Sequence, residues 1–356
     1  MVQILRIVIV AHRILIATGL ILTGDKWLSM REGRNLRAMQ QPRGRAYWRI
    51  SIIREVKMKP LIGIIGLGIM GGAMAEALID AGYRVSGYDV HPAARRRLKK
   101  AGGQALSSCA KVVGSAEIII TSLPSVTALD DVAQDIAVAC DASLKSKRRL
   151  TVIETSTLPI RDKERALRRL KKSGVTLLDC PISGTARRMK EGAWTIFVSG
   201  NATACKAARA IFEVFTRNAP YVGAFGNGSR MKFIANHLVA IYNVAVGESI
   251  TFARTMGLDP QQVWDLFAAS PVVGTGVFKL RGKFMVDRKY LPPTMKVEVW
   301  QKDMQVIGDM ARSVDCPLPL FAACVPVYNA AMAQGLGQSD TASVCEVIDA
   351  MAGGPR

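Results

Sequence analysis

The sequence predicts an α/β protein: an N-terminal Rossmann-type doubly wound sheet followed by an all-α C-terminal domain. Three observations lead to this prediction. A glycine-rich turn joins an apolar run to a helical pattern within 61–82. Apolar runs that end in turn residues then alternate with helical segments as far as residue 222. From 223 to 352 the apolar residues recur at helical spacing, which indicates a second, helical domain.

The first 57 residues are a basic segment that we expect to lie outside the fold. They hold eleven Lys and Arg against three acidic residues, within a chain whose formal net charge is +20. Their longest uninterrupted apolar run, 14–22, is too short to span a bilayer. Met58 is the first residue of the Rossmann domain expected over 58–222 and stands directly before "KPLIGIIGLG". An extension from an upstream start codon is therefore favoured, and a targeting segment is the alternative.

Charge and cysteine usage narrow the classes of partner. Outside the first 57 residues the basic clusters are short and carry no interleaved aromatic residues, so no nucleic-acid partner is expected. The seven cysteines include no CxxC pair. This spacing predicts reduced thiols, no metal site and a cytoplasmic, non-membrane protein.

The turn after the first apolar run has the spacing of a dinucleotide-binding loop. Gly66, Gly68 and Gly71 are in G-x-G-x-x-G register between a strand and a helix. Glycine permits the tight turn, the approach of the backbone to a pyrophosphate and the close packing of the helix. The residues predicted to hold the cofactor here are Gly66, Leu67, Gly68, Ile69, Met70 and Gly71.

Asp89 ends the second apolar run, 23 residues beyond Gly66. An acidic residue at this distance can accept hydrogen bonds from the adenosine ribose and repels a 2′-phosphate, which favours NAD. The arginines at 95–97 could still accommodate NADP. Alternatively, Asp89 caps the next helix, which His91 and Pro92 would open.

Further strands are predicted at 117–125, 150–159, 174–184 and 194–200. In a doubly wound sheet the ligand lies at the carboxyl ends of the strands. One rim should therefore carry Leu123, Pro124, Ser156, Thr157, Ser183 and Gly184.

A long helix is predicted over 229–256, and it carries Lys232 and Asn236 four residues apart. This spacing places both on one helix face. Taken alone, the pair is more typical of a solvated stripe than of a site. Asp259 and Pro260 predict the start of the following helix. The length and small residues of 229–256 suit a contact between subunits.

Four motifs in order resemble the β-hydroxyacid dehydrogenase family, which includes 3-hydroxyisobutyrate dehydrogenase, tartronate semialdehyde reductase and 6-phosphogluconate dehydrogenase. They are "GLGIMGGAMA", "DCPISGTARRMKEGAWTIFVSG", "GNGSRMKFIAN" and "KDMQVIGDMA". The resemblance implies that Ser183 and Gly184 hold the substrate carboxylate and that Lys232 is the general acid and base. It also implies that Asn236 assists Lys232, and that the nicotinamide half of the cofactor meets Leu123, Pro124, Thr157 and Lys302.

Two residues depart from the family pattern in the loop nearest the substrate. Thr185 stands where a second glycine is usual, and Arg188 where a small residue is usual. A guanidinium there could bind a second acidic group of the substrate, or it could point to solvent. The identity of the hydroxy acid therefore does not follow from the resemblance.

A histidine base fits this chain poorly. The three histidines are His12 in the basic segment, His91 beside the expected ribose site, and His237, about 100° round the helix from Asn236. A lysine in a dry cleft can serve instead, because desolvation lowers its pKa toward neutral pH.

We therefore predict an NAD(P)-dependent oxidoreductase that acts on the CH–OH group of a small β-hydroxy acid, or reduces the matching semialdehyde. A homodimer or homotetramer is expected. Two alternatives are an imine reductase-like enzyme of the same fold and a non-catalytic, dehydrogenase-like module that binds nucleic acid. The presence of Lys232 argues against the first, and Ser183, Lys232 and Asn236 together argue against the second.

Overall fold

The computed structural model describes residues 59–142, 150–185, 192 and 194–354. The predicted basic segment, 1–57, and Arg188 lie outside these residues. The sheet and the helical part described below belong to one unit by their contacts, Lys59–Arg356.

Six parallel strands form the main sheet in the order β3-β2-β1-β4-β5-β6. They are β1 (Leu61–Ile65), β2 (Arg84–Tyr88), β3 (Gln104–Ala105), β4 (Ile118–Thr121), β5 (Thr151–Glu154) and β6 (Thr176–Asp179). The order reverses at β1, which pairs with β2 on one side and β4 on the other. Ligands bind at such a reversal, outside the carboxyl ends of the strands.

Helices cover both faces of this sheet. They are α1 (Ile69–Asp80), α2 (Pro92–Lys100), α3 (Cys109–Ser115), α4 (Val126–Ala142), α5 (Ile160–Lys172), α6 (Ala202–Ala207) and α7 (Arg209–Phe215). Successive side chains of a strand point to opposite faces. Ile64 accordingly joins one buried cluster and Ile65 the other. This layering confirms the predicted doubly wound α/β class.

The segment predicted as one strand over 174–184 is instead two. β6 ends at Asp179, and β7 (Ile182–Ser183) pairs antiparallel with β8 (Thr195–Ile196) in a separate two-stranded sheet. Pro181 separates the two strands, and a proline has no N–H with which to continue a ladder. The strand predicted over 194–200 is thus short, and its β8 part lies outside the parallel sheet.

Only helices and their connections follow from Asn227 to Met351, in agreement with the predicted all-α part. They are α8 (Asn227–Thr255), α9 (Pro260–Ala269), a π-helical segment (Phe278–Gly282), α10 (Lys283–Asp287), α11 (Val297–Ser313), α12 (Pro319–Ala333), two 3₁₀ turns (Leu336–Gln338 and Thr341–Ser343) and α13 (Val344–Met351). Their apolar faces meet in one cluster around Met285, Trp300 and Tyr328.

The long helix α8 begins two residues earlier than predicted and ends one residue earlier. By length and hydropathy it could cross a membrane, a test that the core helix of a soluble protein also passes. Its buried face carries Lys232, Asn236 and Asn243. Asp259 caps α9 as predicted, because its Oδ1 accepts a hydrogen bond from Gln261 N at 2.9 Å.

Candidate active site

The turn between β1 and α1 has the shape that a dinucleotide requires. Gly66 has φ +89°, and a Cβ there would lie 2.2 Å from Ser122 O. A Cβ on Gly71 would lie 1.8 Å from Gly66 O, so both positions need glycine for packing. A Cβ on Gly68 would meet nothing within 4 Å. Open space thus lies beside the N-terminus of α1, where free N–H groups favour a pyrophosphate.

The remaining loop residues are distributed between core and solvent. Leu67 is buried, Met70 is half-buried, and Ile69 is 77% exposed at the start of α1. Leu67 N donates to Asp89 Oδ2 at 2.6 Å. Asp89 Oδ1 accepts from His91 N at 2.8 Å, and the next helix begins at Pro92. The carboxylate therefore holds the loop and the helix start together.

Two of the three arginines at 95–97 fold back toward this loop. Arg95 Nη1 donates to Asp89 O at 2.5 Å and its guanidinium lies over the Tyr88 ring. Arg97 Nη2 donates to Leu67 O at 3.3 Å. The position expected for the adenosine ribose thus has one carboxylate and two guanidinium groups beside it.

The carboxyl ends of β4 and β5 form a connected rim. Leu123 N donates to Ser156 Oγ at 2.8 Å, while the neighbouring Pro124 is exposed. Thr157 O accepts a hydrogen bond from Lys302 Nζ at 2.7 Å. Lys302 lies on α11, so this contact joins the helical part to the rim of the sheet.

The predicted substrate segment runs from β7 into a turn that packs on Trp194. Ser183 is half-buried and Gly184 is exposed with φ +142°. A Cβ on Gly184 would lie 2.5 Å from Trp194 Cδ1, so the indole covers this turn. Trp194 Nε1 donates to Thr185 O at 2.7 Å. Thr185 Oγ1 is buried and has no hydrogen-bond partner among the residues that the structure describes.

Lys232 and Asn236 are buried, so they do not form the solvated stripe that their spacing alone suggests. Lys232 is 8% exposed and Asn236 is 3% exposed. Asn236 Nδ2 donates to Asp303 Oδ2 at 2.9 Å, and Asn236 makes no hydrogen bond with Lys232. Within the described ranges no side chain accepts a hydrogen bond from Lys232 Nζ, which leaves the amine available to a ligand. The start of α8 packs against β6 and against β7, the strand that contains Ser183.

The surroundings of Lys232 change its acidity. Its pKa is lowered from 10.5 to about 8. Burial is the largest cause, the negative charge of Asp303 opposes it, and the positive charges of Arg281 and Lys302 act in the same direction as burial. Burial also raises the pKa of Asp303, against the effects of Lys302 and Lys232. A lysine with this pKa can both accept and donate a proton near neutral pH.

Sequence reasoning missed two charged neighbours of Lys232. Asp303 follows Lys302 directly in "KDMQVIGDMA", and its Oδ1 lies 3.4 Å from Lys302 Nζ. The motif was a usable signal for this residue. Arg281 is buried on the π-helical segment, 3.5 Å from Asp340 Oδ1, and no local pattern marks it.

The described histidines lie apart from this cluster. His91 is exposed beyond Asp89 at the end of β2. The ring of His237 packs on Phe321 at 5.7 Å, away from the face that carries Lys232. His12 is in the part of the chain that is not described. Within the described ranges no group of three or more His, Cys, Asp or Glu side chains could hold a metal ion.

Comparison with known proteins agrees with this arrangement. A family model for the NAD binding domain of 6-phosphogluconate dehydrogenase matches residues 61–223. A second, described as NAD-binding of NADP-dependent 3-hydroxyisobutyrate dehydrogenase, matches residues 226–348.

Curated relatives align over most of their own length. L-threonate dehydrogenase of Cupriavidus necator is 30% identical over 81% of this chain and 95% of the relative. The 2-hydroxy-3-oxopropionate reductase of Escherichia coli is 28% identical over 82% of this chain and 98% of the relative. Human mitochondrial 3-hydroxyisobutyrate dehydrogenase is 29% identical over 83% of this chain and 88% of the relative.

Solved structures share the fold. The 3-hydroxyisobutyrate dehydrogenase of Salmonella typhimurium superposes with a TM-score of 0.72 at 24% identity, over 81% of this chain and all of that one. An imine reductase from Pseudomonas sp. superposes with a TM-score of 0.50 at 20% identity, over 82% of this chain and 99% of that one, which is a likeness of fold alone. The chain belongs to the β-hydroxyacid dehydrogenase family and is an NAD(P)-dependent oxidoreductase.

Proposed function

We propose that this protein oxidises the CH–OH group of a small β-hydroxy acid, or reduces the matching semialdehyde, with Lys232 as the general acid and base. One observation carries the proposal: Lys232 is a buried amine whose pKa is lowered to about 8 and whose Nζ has no acceptor among the described residues. A group with these properties suits proton transfer at physiological pH.

The reaction needs two acceptors when the alcohol is oxidised. Bound NAD(P) supplies the hydride acceptor. The substrate carbon loses its hydride, the O–H bond breaks, and the proton passes to neutral Lys232 Nζ as the C–O bond becomes a carbonyl. In reduction, protonated Lys232 returns the proton to the oxygen. Asn236, held by Asp303, keeps the substrate hydroxyl in line with the amine.

The substrate carboxylate is assigned to Ser183 and Gly184, where a hydroxyl and a backbone N–H adjoin the start of α8. The hydroxyl of Thr185 is buried and has no hydrogen-bond partner in the part of the chain that the structure describes, so it offers a further donor in the same turn. We expect Thr185 to select the group carried on the other side of the reacting carbon. Substrates with a polar group there, such as threonate or glycerate, suit the hydroxyl of Thr185.

The cofactor is assigned to the glycine turn and the rim. NAD is favoured because the carboxylate of Asp89 contacts the glycine turn through Leu67 N, and an acidic residue there repels a 2′-phosphate. Arg95 and Arg97 contact the same region and can still accommodate NADP. The residues assigned to cofactor binding are Gly66, Leu67, Gly68, Ile69, Met70, Gly71, Asp89, Leu123, Pro124, Thr157 and Lys302.

We infer that the protein is a homodimer or a homotetramer. We also infer that it is cytoplasmic and has no nucleic-acid partner. An exposed apolar stripe on α8 supports a subunit contact: Met231, Ile234, Leu238 and Tyr242 recur three or four residues apart on one face. Light scattering of Leu238→Glu against the unaltered protein tests this; an unchanged mass would remove the stripe from the interface.

The test of function is a screen of the full chain with NAD and NADP. The substrates are 3-hydroxyisobutyrate, glycerate, threonate, 3-hydroxypropionate and 6-phosphogluconate. We expect NAD(P)H formation with at least one acid, and Lys232→Ala should bind the cofactor but lose about a thousandfold or more of its turnover. Lys279→Ala, an exposed lysine, is the control. Wild-type hydride transfer in Lys232→Ala would exclude the proposed role.

A further inference from the structure

The helix that carries Lys232 has no cap of its own. Gly226 precedes α8 with φ +92° and has no side chain to accept a hydrogen bond. The first N–H groups of a helix have no partner within the helix and must find one elsewhere. In α8 two of these groups, Gly228 N and Ser229 N, are buried and depend on residues from another part of the chain.

Ser199 and Asp179 supply the missing cap. Ser199 Oγ accepts from Gly228 N at 3.0 Å. Asp179 Oδ2 accepts from Ser229 N at 2.8 Å, and Asp179 Oδ1 accepts from Ser229 Oγ at 2.8 Å. A carboxylate at this end of a helix is also favoured by the helix dipole. The first turn of α8 packs closely on Asp179, because a Cβ on Gly228 would lie only 2.6 Å from Asp179 O.

The same carboxylate is tied to the rim expected to hold the cofactor. Lys163 Nζ lies 2.9 Å from Asp179 Oδ1 and 2.6 Å from Glu154 Oε2, and all three side chains are fully buried. It also donates to Ser156 O at 2.6 Å. Burial would lower the pKa of Lys163, but Asp179 and Glu154 outweigh this and raise it, so the amine stays charged. A single polar network thus joins the ends of β5 and β6 to the first turn of α8.

The face that this network holds is the face that carries the proposed base. Ser229, Lys232 and Asn236 follow one another at spacings of three and four residues, so they share one side of the helix. We propose that Asp179 and Ser199 are positioning residues that hold the first turn of α8 on the nucleotide-binding sheet, and thereby place Lys232 Nζ against the substrate hydroxyl. This inference rests on the proposed role of Lys232.

Ser199→Ala tests the proposal, because it removes the acceptor of Gly228 N without adding volume. Single-turnover hydride transfer is measured in the full chain with NAD and the most active acid of the five-acid screen. We expect a fall of about tenfold or more, with cofactor affinity unchanged within about twofold. Asp179→Asn, which weakens the second half of the cap, should act in the same direction. The control is Ser108→Ala, because Ser108 Oγ caps α3 in the same way at Lys111 N and has no link to α8.

A second readout does not need activity. The pKa of Lys232 is followed by NMR of protein labelled with ¹³C at lysine Cε. The groups that face this amine are Asp303 and Lys302 on α11 and Arg281 on the π-helical segment. A first turn that is no longer held should let water reach Lys232, so that its pKa rises from about 8 toward its ordinary value in Ser199→Ala but not in Ser108→Ala.

The outcomes separate the two proposals. If Lys232→Ala is inactive but Ser199→Ala retains the wild-type rate and the wild-type pKa of Lys232, positioning by the cap is overturned and the role of Lys232 stands. A loss in Ser199→Ala that only follows a fall in thermal stability, as in Ser108→Ala, also overturns it. If Lys232→Ala transfers hydride normally, both proposals fail.

Discussion

Asn236 donates its amide hydrogen to Asp303, 2.9 Å away, and the two side chains join α8 to α11 beside Lys232. Both are almost fully buried. The contact fixes the orientation of the amide, because a carboxylate only accepts hydrogen bonds when ionised. Asp303 therefore does two things at once: it holds Asn236, and its charge opposes the fall in the pKa of Lys232.

Asp303→Asn should shift the pH dependence of oxidation to lower pH. The carboxylate raises the pKa of Lys232, so its loss leaves burial, Arg281 and Lys302 to lower that pKa below about 8. Neutral Lys232 is the base, so the rising limb of kcat against pH should move down. The exposed Asp309 on the same helix supplies the control, Asp309→Asn. If the rising limb of kcat stays at the same pH in Asp303→Asn, the charge of Asp303 does not affect the pKa of Lys232.

Lys232→Met should stabilise the folded protein at neutral pH while it abolishes turnover. The folded pKa of Lys232, about 8, lies below its ordinary value of 10.5. Between these values the unfolded state binds more protons, so the wild type gains stability as pH rises through that window. Methionine has no amine to deprotonate or to bury as a charge, so the free energy of unfolding of the variant should be higher than that of the wild type by up to about 3 kcal/mol at pH 7.

Urea unfolding of the two proteins measures this difference. The gain of Lys232→Met should be largest at pH 7 and shrink as pH rises through 8 to 10.5. A difference that does not change with pH would mean that the variant acts through packing alone.

The fold and the glycine turn were predictable because their signals are local. The glycine register, the strand ends and Asp259 each specify backbone geometry within a few residues. The predicted Ser183, Gly184, Lys232 and Lys302 needed family resemblance, because nothing local distinguishes a buried lysine from a solvated one. The structure brings Lys232 and Lys302 into one electrostatic cluster.

Other features depend on partners distant in the chain, which periodicity cannot reveal. Arg281 becomes relevant only because the π-helical segment packs on α8. The cap of α8 comes from distant residues: Asp179 lies 50 residues before Ser229, and Ser199 lies 29 residues before Gly228, whose N–H groups donate to them. The break between β6 and β7 had a local signal, Pro181, which the prediction of a single strand overlooked.

Gly68→Ala should weaken cofactor binding without loss of fold. A Cβ at Gly68 meets nothing within 4 Å of the protein and would occupy the space assigned to the pyrophosphate. The KM for NAD should rise about tenfold or more, with an unchanged melting temperature. Gly71→Ala is the contrasting variant. Its Cβ would lie 1.8 Å from Gly66 O, so it should cost roughly 1–3 kcal/mol or more of stability. A Gly68→Ala protein with wild-type KM would place the pyrophosphate elsewhere.

Asp89→Asn should move cofactor preference toward NADP. The amide oxygen can still accept from Leu67 N, so the glycine turn keeps its hydrogen bond, whereas the negative charge that repels a 2′-phosphate is gone. With Arg95 and Arg97 already folded toward this position, kcat/KM for NADP should rise about tenfold, while that for NAD changes only a few-fold. Steady-state kinetics with both cofactors measure the ratio, and Asp80→Asn, exposed at the end of α1, is the matched control. Equal preference in Asp89→Asn and the unaltered protein would mean that the Asp89 carboxylate does not face the adenosine ribose.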